Sequence, residues 1–289
     1  MIPNNNLSVL PWYTDIQFQN HRKDYAYGNV YPLFVPKDKL IPFQILRNTR
    51  SNNTFTVNVY NKQGTLIQNI SQQLLETGLQ LKRFASLGYD VIVFPGNLPF
   101  VSNLTEGLYY LTLSDGVETF YSDLFTAVNS VDGYLKIEWF DIDDFVFDAG
   151  RIVYSNPSFK NVLYLCAEIG KPEYVFEEDG ETRDGYFFPE KQISEKTYKF
   201  TFLAPEYLCD VLRIVRMSDQ INIYAKGQKY ECDTFLITPK WQTQGDLASV
   251  ETEFQTATVV KKIGRGYIVG SGGDFNNDFN NDFNNQQNG

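Results

Sequence analysis

Histidine, cysteine and methionine are scarce here: 289 residues hold one His, three Cys and two Met. Each shortage removes a class of chemistry. Nucleophilic catalysis by Ser, Thr or Cys ordinarily enlists a histidine base, and the lone His21 lies in a proline-rich stretch where it reads as a surface or packing residue. Cys166, Cys209 and Cys232 make an odd count with no CxxC spacing, so neither a disulfide framework nor a zinc site is indicated. Cys166 and Cys209 sit in apolar runs and are expected to be buried thiols. No apolar run reaches about 18 residues, and the polar start Met1-Ile-Pro-Asn-Asn-Asn lacks the basic and apolar regions of a secretory signal, so neither membrane insertion nor export is expected. Basic residues are outnumbered, 25 Lys and Arg against 35 Asp and Glu, for a formal charge of −10. That balance argues against specific nucleic-acid binding, which needs clustered cations on the phosphates. A P-loop, a dinucleotide fingerprint, HExxH and a G-x-S-x-G elbow are all absent, so no cofactor is expected and the chain reads as non-enzymatic.

What the sequence has in quantity is aromatic side chains: 23 Phe and 19 Tyr, with an aromatic share of 16% and 43% hydrophobic residues overall. Such rings pack well on pleated surfaces, and the length suits two units with cores of their own. The expected fold is mainly β, with two β-sandwich-like domains, the second bearing one short packed helix, plus an extended N-terminal arm and a flexible C-terminal tail.

Residues 1–42 carry Pro3, Pro11, Pro32, Pro36 and Pro42 among Trp12, Tyr13, Phe18, Tyr25, Tyr27 and Tyr31. Repeated proline breaks ladders and helices alike, so this is read as an arm with one or two short strands, anchored by its rings on its own domain or on a neighbouring subunit. From Phe43 the pattern is regular. Phe55–Tyr60 alternates, Asn61-Lys-Gln-Gly64 turns and Thr65–Ile70 returns, a β-hairpin signature. Asp90–Phe94, Gly107–Leu113, the turn Ser114-Asp-Gly116 and Val117–Ser122 follow at sandwich spacing. Residues 43–128 therefore form the first domain, and the Gly-x-Tyr-Tyr strand resembles the closing strands of immunoglobulin-like and fibronectin-type modules.

The second domain spans 129–263, after the turn-rich Val128–Gly133. Lys196-Thr-Tyr-Lys-Phe-Thr-Phe-Leu203 alternates at period two, and then Leu208, Val211, Leu212 and Val215 fall on one helical stripe. A helix at about 204–218 is predicted, with strands again after Asp219. The charged stretch Gly180–Gly185 reads as a solvated hairpin tip. Residues 264–289 are a Gly-rich linker followed by three Asp-Phe-Asn-Asn repeats. One aromatic per four residues buries too little to offset ordering entropy, yet Phe275, Phe279 and Phe283 are spaced to enter equivalent pockets on a symmetric assembly.

Two constellations bear on chemistry. Glu138, Asp141, Asp143, Asp144 and Asp148 form the densest carboxylate cluster, but the spacing matches no EF-hand loop, so no metal is expected. Paired carboxylates could also serve a glycan hydrolase. Trp139 and Trp241 could stack on sugar rings, although both lie in alternating strands that suit core packing.

The stretch Ser194-Glu-Lys-Thr-Tyr-Lys-Phe-Thr-Phe-Leu-Ala-Pro-Glu-Tyr-Leu-Cys-Asp210, with Lys240-Trp-Gln-Thr-Gln-Gly-Asp-Leu-Ala-Ser-Val-Glu-Thr-Glu-Phe-Gln-Thr256, resembles structural proteins of tailed phages and prophages of Bacteroidetes. A β-domain with a single packed helix is also similar to the fold of tail-tube, distal-tail and baseplate-hub proteins. The resemblance implies a virion location, assembly in the host cytoplasm, other virion structural proteins as partners, and a cyclic homo-oligomer closed by exchanged arms and edge strands. The candidate subunit contacts are Trp12, Tyr13, Tyr25, Phe275, Phe279 and Phe283. A carbohydrate-binding module of a receptor-binding or cell-surface protein is the alternative.

Overall fold

Backbone amides leave few ways to bury an alternating, aromatic-rich chain, and pairing strands into facing sheets is the one taken here. The computed structural model describes residues 9–14, 33–51, 54–84, 88–96, 104–142, 145–148, 152–155, 159–241 and 247–262. The fold is mainly β and sandwich-like, as expected.

In the first half, β1 (Trp12–Tyr13), β2 (Phe34–Pro36), β4 (Thr56–Asn61), β5 (Leu66–Asn69), β8 (Gly107–Ser114), β9 (Thr119–Ser122) and β10 (Phe125–Val128) form one sheet. The strands β3 (Phe43–Asn48), β6 (Gln80–Phe84) and β7 (Tyr89–Phe94) form the sheet that faces it. Val57, Val59, Leu111 and Leu113 meet Phe43, Ile45, Ile92 and Phe94 in a dry interior. The predicted hairpin corresponds to β4 and β5. A six-residue helix, α1 (Ser71–Glu76), was not foreseen; Leu74 is its buried residue, and one apolar position leaves no periodic stripe to read.

The second half has β11 (Leu135–Phe140), β14 (Asn161–Leu165), β17 (Gln220–Ala225) and β18 (Gln228–Glu231) in one sheet, and a separate hairpin of β12 (Phe145–Asp148) with β13 (Ile152–Ser155). Its other sheet runs β15 (Glu173–Arg183), β16 (Tyr186–Pro205), β20 (Leu247–Lys262) and β19 (Thr234–Trp241), in that order. The predicted helix is shorter than its apolar stripe: α2 covers Glu206–Leu212, and a 3-10 turn at Val215–Met217 carries the last buried position. The stripe itself holds, since Leu208, Val211, Leu212 and Val215 are all buried. The main apolar cluster runs from Val9 to Phe254 through both halves, beside a small second one of Val91, Val93 and Phe159.

One end of the first sandwich is closed by charge. Arg47 and Asp90 stand opposite one another on β3 and β7, and the Arg47 guanidinium donates to Asp115 at 2.7 Å and lies 3.5 Å from Asp90, with all three side chains fully buried. Asp115 belongs to the β8–β9 turn in the facing sheet, so Arg47 ties the two sheets together. Arg50 reaches Asp115 at 3.3 Å, and Arg83 reaches Asp90 at 3.4 Å. Burial alone would raise the Asp115 pKa, but backbone N–H donors from Glu118 and Val117, with Arg47 and Arg50, outweigh it and hold the carboxyl below its usual value.

Two outcomes follow. Arg47→Leu removes the fully buried cation between two buried carboxylates, leaving them only the partly exposed Arg50 and Arg83, and is expected to cost about 3–5 kcal/mol in urea unfolding at neutral pH. Because the folded Asp115 pKa is depressed, its stabilisation is present above the unfolded value of about 3.9 and is lost as pH falls through the lower folded one. Melting temperature measured against pH should therefore drop below about pH 4, less steeply in Asp115→Asn.

Candidate functional site

The sequence-derived candidates are scattered. Trp12 and Tyr13 are buried on the chain's own first half: β1 pairs with β9, and the Trp12 ring lies 4.8 Å from that of Phe43. Tyr25, Phe275, Phe279 and Phe283 lie outside the described residues, as does His21.

The carboxylate cluster divides. Asp141 accepts the Asp219 N–H at 3.1 Å while Asp219 accepts the Ile142 N–H at 2.9 Å, a reciprocal staple between two loops. Asp143 and Asp144 lie outside the described residues, and only the backbone of Asp148 is described. Glu138 is buried on another face, where it accepts from Lys136 at 2.7 Å and from the Tyr224 hydroxyl at 3.3 Å, with Lys160 4.0 Å away. Burial, with Glu138 nearby, pushes the Tyr164 hydroxyl up to about 12. Among the described residues no group of three or more His, Cys, Asp or Glu could hold a metal ion. A cleft of about 40 Å³ between Pro36–Pro42 and the β11–β14 face, lined by Lys136, Val162 and Tyr164, has room for a few waters.

The cysteines differ in exposure. Cys209 is buried as expected, but Cys166 is exposed, because β14 ends at Leu165 and the chain bends out of the sheet at the next residue. Burial raises Cys209 to about 11 and the half-buried Cys232 to about 12. The tryptophans also divide: Trp139 is core, whereas Trp241, at the end of edge strand β19, is 48% exposed.

The feature that stands apart is the β15–β16 ribbon. At about 3.3 Å per residue the 20 residues of β16 span roughly 65 Å, and only the C-terminal part is core, where Tyr198, Phe200, Phe202 and Ala204 point inward. From Lys196 back to Tyr186 the strand leaves the core with β15 on one side and, as far as Lys191, the end of β20 on the other. The turn at its tip is Asp184-Gly185, both with positive φ, as a two-residue hairpin turn requires. The sequence placed the whole tip over Gly180–Gly185; the strands in fact pair as far as Arg183↔Tyr186, with a bulge at Asp179/Gly180. Gly180 is needed there, since a Cβ would sit 2.1 Å from the Phe188 carbonyl oxygen.

Along this ribbon the rings face water: Tyr174 is 72% exposed, Phe176 62%, Tyr186 72%, and Phe187 and Phe188 about half. Tyr174 and Phe176 pair with Lys196 and Ser194, the residues on β16 that continue the row of Tyr198 and Phe200. The core face of the sheet thus runs on outside the core, with Lys196 over the rings of Tyr198 and Tyr174 at 5.2 and 5.8 Å. Val175 and Val260 are exposed on the opposite face. The signal available for these residues was a pair of apolar triplets, Tyr174-Val175-Phe176 and Tyr186-Phe187-Phe188, on either side of one turn; the dense charge around Gly180 masked it. Comparison with known proteins finds no family model that matches the chain and no matching curated protein.

Thiol reagents at pH 8 should modify one cysteine, Cys166, rapidly in the native protein. Cys209 and Cys232 should follow only in urea, which peptide mapping of the labelled protein would verify.

Proposed function

We propose that this chain is a non-enzymatic structural protein of a phage virion, in the tail, connector or baseplate, and that it works by assembling into a cyclic homo-oligomer beside other virion proteins. The observation that carries the reading is the ribbon: an extension of the core sheet, three-stranded at its root and two-stranded at its described tip, with aromatic and β-branched side chains exposed on both faces. Contiguous apolar surface of this kind is what partner surfaces present. The resemblance of Ser194–Asp210 and Lys240–Thr256 to phage structural proteins supplies the setting, and the acidic balance suits subunits that line a DNA passage without gripping it. In this reading the polypeptide is made and assembled in the host cytoplasm and resides in the virion.

The purified full chain is expected to form a ring visible in negative-stain images and as one large species in mass photometry. Tyr174→Ser, Phe176→Ser and Phe188→Ser combined should abolish that species. The unfolding free energy in urea should change little, by about 1 kcal/mol or less, because the replaced rings are already in water. Rings that persist in the triple variant would remove the ribbon from the reading.

A second reading has Trp241 in its favour, because an exposed indole at a sheet edge can stack on a sugar. A carbohydrate-binding module predicts retention on a bacterial surface polysaccharide, lost by about tenfold or more in Trp241→Ala. No retention by the wild type would dismiss it.

A further inference from the structure

Among the described residues the ribbon has two edges with no strand beside them, and they differ in charge. In the sheet order β15-β16-β20-β19, β15 is one outer strand. It carries Glu173, Glu177, Glu178, Asp179 and Glu181 against a single Arg183. On the other side, the register of β19 with β20 ends at Thr234↔Gln255. Asp233 takes the N–H and hydroxyl of Thr258, each at 3.1 Å. From Val259 onward, among the described residues, the outer edge of β20 has no strand beside it. That edge reads Val-Val-Lys-Lys, with no acid between Phe254 and Lys262.

The register relates the two edges. β15 and β20 both run antiparallel to β16, and so parallel to each other. Tracing across β16 gives the residues that share a level along the strands. Phe176, Ser194 and Val259 share one level, and Glu177, Ile193 and Val260 the next. Glu178, Gln192 and Lys261 come third, then Asp179, Lys191 and Lys262. Rotation about an axis along the strands, without translation, preserves every level. It therefore carries the acidic edge of one copy to the basic edge of the next, with Phe176 beside Val259, Glu178 beside Lys261 and Asp179 beside Lys262.

The alternative pairings are disfavoured by charge. A two-fold dimer through β15 would set acid rows against each other, and one through β20 would do the same with lysines; like charges directly opposite are destabilising. The mixed pairing is heterologous, so the same contact repeats until rotation closes it.

Resting on the assembly reading above, we infer that β15 of one copy adds in parallel to the free edge of β20 of a second copy, with Glu178 and Asp179 against Lys261 and Lys262, making one sheet continuous around the ring. The acids of β15 then have two uses: they keep the edge from pairing with itself, and they select the correct neighbour.

The test is charge-reversal complementation with the full chain. E178K/D179K and K261E/K262E, each confirmed by circular dichroism and melting to fold as the wild type does, are followed by mass photometry at low salt. Each alone should need at least about tenfold more protein for half-assembly. Their equimolar mixture should recover to within about threefold of wild type, and raising salt from about 50 to 500 mM should weaken the wild type. Variants that assemble alone as well as wild type, or a mixture that fails to recover, would overturn this contact while rings of the wild type still uphold the assembly reading. A wild type that stays monomeric throughout would overturn both.

Discussion

A strand that leaves its core still has an amide and a carbonyl at every residue to satisfy, and much of this molecule follows from one strand, β16, being far longer than the core it serves. Its hydrogen-bonding groups alternate between two sides: β15 pairs with it from Tyr186 to Thr197 and β20 from Lys191 to Pro205, so both neighbours accompany it out of the core as far as Lys191. Within the core the alternation of Tyr198, Phe200 and Phe202 has a facing sheet and a helix to bury it; outside, Tyr174 and Phe176 continue that face and no described residue covers them. On the β15 side the strand is thus paired all the way to the tip, while the side chains beyond the core stay uncovered. Sheet pairing gives the ribbon its form and leaves its rings facing water.

The first half contributes rigidity of another kind. Arg47, Asp90 and Asp115 hold facing sheets together with buried charge, which is costly to desolvate and stabilising only while every partner stays in place. A pair of this sort specifies geometry more than it adds stability. It fixes the β8–β9 turn against β3, and β9 in turn receives the arm strand β1. The apolar cluster that begins at Val9 passes through the second half to Phe254, under the root of the ribbon. Arm, sandwich and ribbon base therefore share one interior.

Much of the fold was legible because local pattern and tertiary outcome agree. The β4 strand and the α2 stripe each obey one period that burial then rewards, and the apolar Gly107–Ser114 strand is buried on both faces through its middle. α1 was not legible, since six residues with one buried position carry no period. Cys166 reads as interior from its apolar neighbours, yet the strand stops one residue before it. The candidate site was the least legible part. Aromatic residues in an alternating strand look like core, and only knowledge of where the facing sheet ends distinguishes Phe200 from Phe176. The level relation of Glu178 to Lys261 depends on register through a third strand, which no single-strand pattern encodes.

The pairing of Trp12 with Ser122 has a temporal side. During synthesis the arm leaves the ribosome well before its strand partner exists, roughly a hundred residues later, so the indole must wait in water or on a chaperone while the sheet that receives it is made. Its docking is a late event in building the first half, and any neighbour arriving in that interval meets an arm still at liberty.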